Sequence, residues 1–435
     1  MSDLPENWVF TTLGKVCAKP QYGWTSKAAQ KGAIKYLRTT DLSSGVVDWE
    51  TVPYCLDEPD DIEKYQVEDN DIVISRAGSV GLSYRIENPP PKSVFASYLI
   101  RMRATAVEHK YLEYFLKSAE YWQQISDVSA GIAVQNINAT KLSDLEIPLA
   151  PRPEQKRIVA KLDSLFGHLD QLKSRLSTIP VLLKQFRQAV LTQAVTGKLT
   201  EEWREKNKKL PQWLDTSLAE VCFVNPGHRG VEIDLNDNVS FLPMTRIQEE
   251  NGVLDLSQTK KYKEVKQGFT KFIEGDVLFA KITPCMENGK IAIAKGLTGG
   301  IGCGTTELHV LRPKPEVLAE YIFYFLLRPE FRDYCKSRFK GTSGHMRVPV
   351  DVFSEFDLSL PPFAEQKEII RRVESLFAVA DRIEASYNTL QEKIDHLPQA
   401  ILAKAFRGEL VEQDVLNEVS HYTQETEKLS MAAEP

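Results

Sequence analysis

Apolar side chains recur along one stretch at alternating intervals of four and three: Ile158, Leu162, Leu165, Leu169, Leu172, Leu176, Ile179, Leu183, Phe186 and Val190. The same rhythm returns at Ile369, Val373, Leu376, Ala380, Ile383, Tyr387, Leu390, Ile394, Leu397 and Ile401. A stripe of this period is a narrow a/d seam, which needs another helix's seam to cover it. Each stretch is therefore predicted to be a long helix, and the natural partner of each is the other. At about 1.5 Å per residue, Ile158 to Val190 would make a rod of roughly 50 Å. Pro153 stands near the first turn, and Gly197 and Gly408 just past the last periodic position of each copy, where helices start and stop. Pro180 and Pro398 predict a kink or break near each, because proline removes a hydrogen bond and clashes with the preceding turn. The plainer alternative is that each stripe packs on its own globular block.

The two stripes belong to a longer duplication. Residues 154–199 align without a gap to residues 365–410, with 15 of 46 positions identical, including Glu154-Gln155-Lys156 with Glu365-Gln366-Lys367 and Ser164-Leu165-Phe166 with Ser375-Leu376-Phe377. Elsewhere the repeat is looser: Trp8, Leu13, Val16 and Cys17 match Trp213, Leu218, Val221 and Cys222, and Asp71-Ile72-Val73 matches Asp276-Val277-Leu278. Offsets that shift along the chain mean loops of different length. Tyr65 to Ser75 ends in a β-branched run before a glycine turn, and Tyr111 to Gln124 has helical spacing of aromatics, so each variable block mixes strands and helices. The fold class is α+β: blocks at 1–150 and 211–361, helical segments at 151–210 and 362–412, and a polar tail at 413–435. Within this scheme residues 200–212 read as a charged linker and the tail as disordered.

A chain of 435 residues, 42% apolar and 26% charged, is long enough for two or three cores. No apolar run approaches the roughly 18 residues of a membrane span, and MSDLPENW has no signal-peptide pattern, so a cytoplasmic protein is expected. Six dispersed cysteines without a C-x-x-C pair fit reduced thiols better than disulfides or zinc. The net charge of −6 is unevenly spread. Residues 1–150 carry 15 basic against 20 acidic side chains (−5), 151–210 carry 13 against 6 (+7), 211–361 carry 18 against 20 (−2), and 362–435 carry 8 against 14 (−6). Neither large block could hold a polyanion by its net field.

Catalytic motifs fail on context. Ala77-Gly78-Ser79-Val80-Gly81 approximates a nucleophile elbow, but extended sequence follows where a helix is required. Asn88-Pro89-Pro90 is followed by Pro91 rather than the aromatic that stacks on a flipped base. Gly299 to Gly304 lacks phosphate-loop spacing, and the seven histidines show no ligand pattern. Recognition is what remains. Arg can fork onto guanine O6 and N7, and Asn or Gln onto adenine N6 and N7. The loop residues able to do so are Arg38, Arg76, Ser79, Gln135, Asn136 and Asn138 in the first block, and Arg246, Lys281, Thr283, Asn288, His345 and Arg347 in the second. Taken singly, a loop residue of these types is more often solvated or turn-capping. Their recurrence at matched places in two divergent copies speaks for the group.

The repeated segments GIAVQNINATKLSDLEIPLAPRPEQKRI and GTSGHMRVPVDVFSEFDLSLPPFAEQKEI, the W-x4-L-x-x-V starts and the D-I-V-I-S-R-x-G turn resemble the specificity subunit of type I restriction-modification systems over about residues 5 to 412. The second block departs in having Lys281-Ile282-Thr283-Pro284 where the first has Arg76-Ala77-Gly78-Ser79. The resemblance implies two target recognition domains, each reading half of a split double-stranded DNA site. It also implies that the helices form an antiparallel coiled coil with a pseudo-two-fold, which sets the spacing of the half-sites and docks two methyltransferase subunits. The coiled-coil core is then expected at Ile158, Leu162, Leu165, Leu169, Leu172, Leu176, Ile369, Val373, Leu376, Ile383, Leu390 and Ile394. Restriction subunits would join that complex. The chain itself would be non-catalytic and bind no cofactor, with S-adenosylmethionine, ATP and Mg on its partners. The rival readings are a coiled-coil scaffold that binds no DNA and an enzyme hidden in the variable blocks.

Overall fold

The β-branched run Ile72–Ser75 is a strand buried along its whole length, as a short apolar run bounded by turns suggests. In the computed structural model, which describes residues 4–43, 45–129, 136–228, 231–341 and 346–413, it lies inside an antiparallel sheet. The order is Gln21–Tyr22, Leu99–Met102, Ile72–Ser75, Ser83–Arg85. The second half builds the same sheet from Cys222–Val224, Leu308–Pro313, Val277–Ala280 and Ile291–Ile293. Beside each lies a second four-stranded sheet holding one parallel pair, Lys35–Leu37 with Ser93–Phe95 and Asn238–Leu242 with Ile301–Gly304. A two-stranded ribbon then closes each block, Val9–Thr12 on Glu146–Leu149 and Leu214–Ser217 on Asp357–Leu360. The chain forms two compact units: Met1–Leu176 with Thr389–Pro435, and Ser177–Asn388.

The repeated motifs are the fasteners of this duplicated fold. Asp71 is buried and takes Arg103 Nε and Nη2 at 2.7 and 3.1 Å, while Asp276 takes Arg312 at 2.7 and 2.9 Å. Trp8 Nε1 donates to Glu154 at 3.0 Å, and Trp213 Nε1 donates to Glu365 at 2.9 Å. Gln155 accepts from Glu108 N–H and donates to Ala150 C=O, and Gln366 does the same with Leu318 N–H and Pro361 C=O. All four side chains of the two Glu-Gln pairs are buried. Buried polar groups must find partners, so this pair at the start of each helix fixes the helix to its own block.

The first seam breaks where proline forbids continuation. One helix spans Arg152–Leu176 and the next Ile179–Val195, with Pro180 in its opening turn. The second seam does not break: a single helix, Phe363–Phe406, carries Pro398 inside it. Leu402, Ala405 and Phe406, just beyond that proline, are buried in the first unit's core with Ile158 and Leu162, and this burial offsets the missing hydrogen bond. Residues 200–212 are more than a linker, since Glu201–Lys206 is helical and its Arg204 forms an ion pair with Glu365. The aromatic stretch from Tyr111 divides into His109–Phe115 and Ala119–Ser129.

In the first unit, Lys173 lies 3.8 Å from Asp395 and Arg157 donates to Glu412 C=O, so the two helices run antiparallel. In the second, Arg187 reaches Asp381 and Glu384 at 2.7 Å and Arg372 donates to Leu199 C=O, again antiparallel. The seam positions do not share one fate. Ile158, Leu162, Ile369 and Val373 join the cores of the blocks, and Leu169, Leu176 and Ile394 are buried. Leu165 and Leu376 are half-buried. Leu172, Ile383 and Leu390 were expected inside the seam but are 45, 46 and 44% exposed. A pair of helices covers only the sides that face each other, and these three lie off that line. The tail from residue 414 onward lies outside the described residues.

Candidate nucleic-acid interface

At one end of each main sheet three chain segments meet, joined by main-chain hydrogen bonds. In the first unit Arg76 N–H donates to Tyr98 C=O at 2.9 Å, and Ile137 N–H donates to Arg76 C=O at 3.0 Å. An antiparallel bridge pairs Ala77 with Asn136. In the second unit Lys281 N–H donates to Glu307 C=O at 3.0 Å, Val348 N–H donates to Lys281 C=O at 2.8 Å, and Ile282 bridges to Arg347. The same backbone cradle thus carries Arg76, Tyr98 and Asn136 in one unit and Lys281, Glu307 and Arg347 in the other. The departure of the Lys281 to Pro284 segment from the first copy is one of side chains, not of main-chain placement at this junction.

The cradle brings together only some of the expected residues. Arg76 lies with its guanidinium carbon 4.8 Å from the centre of the Tyr22 ring, and its Nε donates to Asn136 Oδ1 at 3.4 Å. Among the described residues neither terminal nitrogen of Arg76 meets a protein acceptor. Ser79 is exposed on the turn between Ile72–Ser75 and Ser83–Arg85, a hairpin with no following helix. Lys281 and Thr283 share the second cradle, with Thr283 Oγ1 donating to Glu287 at 3.1 Å. Arg347 forks onto Glu307 through Nε and Nη2 at 2.9 and 2.7 Å.

The other candidates are held by local structure. Arg38 forks onto Asp41 at 3.1 and 2.7 Å and caps a 3-10 turn. Asn138 caps the helix Ala139–Ser143 by accepting Lys141 N–H at 2.8 Å. Arg246 is bound to Asp255 and Ser257, both at 2.5 Å, and Asn288 donates to Glu249 at 2.8 Å. Gln135 and His345 lie outside the described residues. Sequence reading missed Tyr22, Tyr98 and Glu307. Tyr98 is 64% exposed and carried a faint signal as an aromatic before the Leu99–Met102 strand, but its counterpart is a glutamate and nothing in the repeat links them.

Behind the second cradle, His309 is buried, with Nε2 2.9 Å from Val348 C=O and Nδ1 3.3 Å from Asn225 Nδ2. Donation from Nε2 to the carbonyl and acceptance at Nδ1 fit the neutral ring. Burial pushes its pKa down to about 4, and the nearby Lys281 acts in the same direction against Glu307. The unfolded chain therefore binds a proton first as pH falls. The contribution is complete above the ordinary histidine value near 6.5 and disappears on descent towards 4. Urea titrations should find about 2 kcal/mol lost between pH 7 and pH 5. His309→Gln should remove that slope, and an unchanged slope would show that the histidine does not cause it.

The family model described as type I restriction modification DNA specificity domain matches residues 5–180 and 212–392. The chain is 32% identical over 429 residues to the type I restriction enzyme EcoKI specificity subunit of Escherichia coli (strain K12), across 94% of this chain and 90% of that one. It is 28% identical over 427 residues to the StySPI specificity subunit of Salmonella potsdam, with the same coverage of 94% and 90%. Among solved structures, the HsdS subunit from Thermoanaerobacter tengcongensis superposes over 94% of this chain and 98% of its own with a TM-score of 0.61 at 17% identity. A chain from a type I R-M system complex does so over 94% and 99% with a TM-score of 0.65, also at 17% identity. These two are likenesses of fold.

Proposed function

This chain belongs to the type I restriction-modification DNA specificity family, and from that premise we propose that it is the non-catalytic subunit that selects the DNA sequence to be modified or cut. Each recognition domain, residues 1–150 and 211–361, reads one half of a bipartite double-stranded site. The antiparallel helices fix the separation of the half-sites and dock two methyltransferase subunits, and restriction subunits complete the assembly. The observation that carries this reading is the duplicated cradle, with one main-chain arrangement bearing two different sets of side chains. A duplicated scaffold with different side-chain contacts suits a target whose two halves differ in sequence.

Two features support the partner assignments. The recognition blocks carry −5 and −2 charges by count of their basic and acidic side chains, so phosphate neutralisation, which dominates DNA affinity, falls to the partners. Helix residues Val181, Leu182, Phe186, Val379 and Ile383 in the second unit, and Leu172, Leu390 and Leu397 in the first, expose 38 to 58% of their surface. Large apolar side chains left exposed on long helices suit a protein interface, and the methyltransferase subunits are the partners that fit. No described helix is long and apolar enough to cross a membrane; a cytoplasmic location, where the DNA target is, is part of the proposal. A scaffold without DNA binding has no support among the relatives. The test is to replace residues 1–150 with the matching segment of a family member of different specificity, then map methylated sites of the assembled methyltransferase. One half of the methylated sequence should change and the other persist; an unaltered site would overturn the proposal.

A further inference from the structure

Resting on that reading, we infer that Arg76 reads a guanine of one half-site, with Tyr22 as its positioning residue.

The argument for Arg76 starts from what distinguishes it from neighbouring arginines. Arg38 forks onto Asp41, and Arg246 pairs with Asp255 through Nη1, so using either on a base would first require breaking an ion pair. Arg76 has no such partner among the described residues, and only its Nε is engaged, with Asn136. Its guanidinium carbon sits over the Tyr22 ring, and Tyr22 is itself pinned by accepting Ala139 N–H at its hydroxyl at 2.8 Å. An arginine held over a ring, with neither terminal nitrogen engaged by a described residue, is arranged for bidentate capture of guanine O6 and N7. Holding it so in advance removes much of the rotamer entropy that a flexible side chain loses on binding.

In the second unit the position of Tyr22 is taken by Gly227 at the same offset that relates Arg76 to Lys281. Among the described residues Lys281 has no ring beneath it, and a lysine cannot form a fork, so the ring-backed arrangement belongs to the first unit. Arg347 is held by Glu307 through two hydrogen bonds. The first cradle is assigned to a guanine on the contacted strand.

The experiment uses the full chain assembled with its methyltransferase subunits on a library randomised at each base of the modified site. Arg76→Ala should lower preference at one base pair of the first half-site by about 5- to 150-fold, the range one bidentate contact supplies, and leave the second half-site unchanged. Tyr22→Leu should weaken the same base preference as Arg76→Ala, and Tyr22→Phe, which keeps the ring, should restore it. Unchanged preferences, or a uniform loss at every sequence as for a phosphate contact, would overturn the inference. If the Arg76→Ala complex assembles but modifies nothing, Arg76→Lys decides: full preference retained with a charge but no fork refutes the assignment, and relaxed preference sustains it. A wild-type complex whose methylation follows no two-part sequence would instead remove the underlying reading, before any variant is made.

Discussion

Truncating Phe406 to alanine is expected to destabilise the first unit by about 4 kcal/mol, within the range for deleting a fully buried phenyl ring. Phe406 is 2% exposed, and its ring meets Tyr111 and Phe115 edge-on with centroids 5.2 and 5.4 Å away. The loss combines transferred apolar area, an unfilled cavity and two aromatic contacts. The cavity would open where the last turn of Phe363–Phe406 enters the core that also holds Leu402 and Ala405. Leu397→Ala, on the same helix but 39% exposed, serves as the control and should cost less than about 1 kcal/mol. Denaturant midpoints of the two variants measure the difference. Equal shifts would show that the phenyl ring contributes no more than helix propensity does.

The second large effect is expected at Arg204. Glu365 is fully buried, and its carboxylate accepts from Trp213 Nε1 and Thr200 Oγ1, both at 2.9 Å, with Arg204 as its counter-ion. Arg204→Ala leaves a buried carboxylate with two neutral donors and no cation, which should cost about 3 kcal/mol. The matching Glu154 in the first unit already lives in that condition. It accepts from Trp8 Nε1 at 3.0 Å and Asn7 Nδ2 at 3.3 Å and has no cation among the described residues. Glu154→Gln should therefore stay within about 1 kcal/mol of the parent, because a neutral acceptor suffices for neutral donors. Thermal unfolding of the variants would expose the contrast, and equal losses in Arg204→Ala and Glu154→Gln would refute it.

The duplication and the helices were legible because identity and periodicity survive in linear sequence. Glu154-Gln155 and Glu365-Gln366 stood out as repeated letters, but only the fold explains them as buried connectors from helix to block. The seam was legible in period and not in extent. Leu172, Ile383 and Leu390 keep the rhythm yet face outward, because periodicity says that a stripe must be covered without saying by which molecule. The base-reading candidates show the sharpest limit. Arg38, Arg76 and Arg246 are equivalent as letters; what separates them is whether a carboxylate lies within reach, in Asp41 and Asp255, and a ring beneath, in Tyr22. The pairing of Tyr98 with Glu307 could not be seen, since the two residues share a backbone address and no chemistry.

The junctions of each cradle are closed by N–H and C=O groups, which every residue except proline possesses. Replacing the side chains mounted there need not disturb the bonds beneath them, so folding and selectivity are written in separate parts of the same residues. A lineage can therefore drift from one recognised word to another through single substitutions without crossing an unfolded intermediate. A host confronting invaders that shed susceptible sites would gain fresh vocabularies from one unaltered chassis.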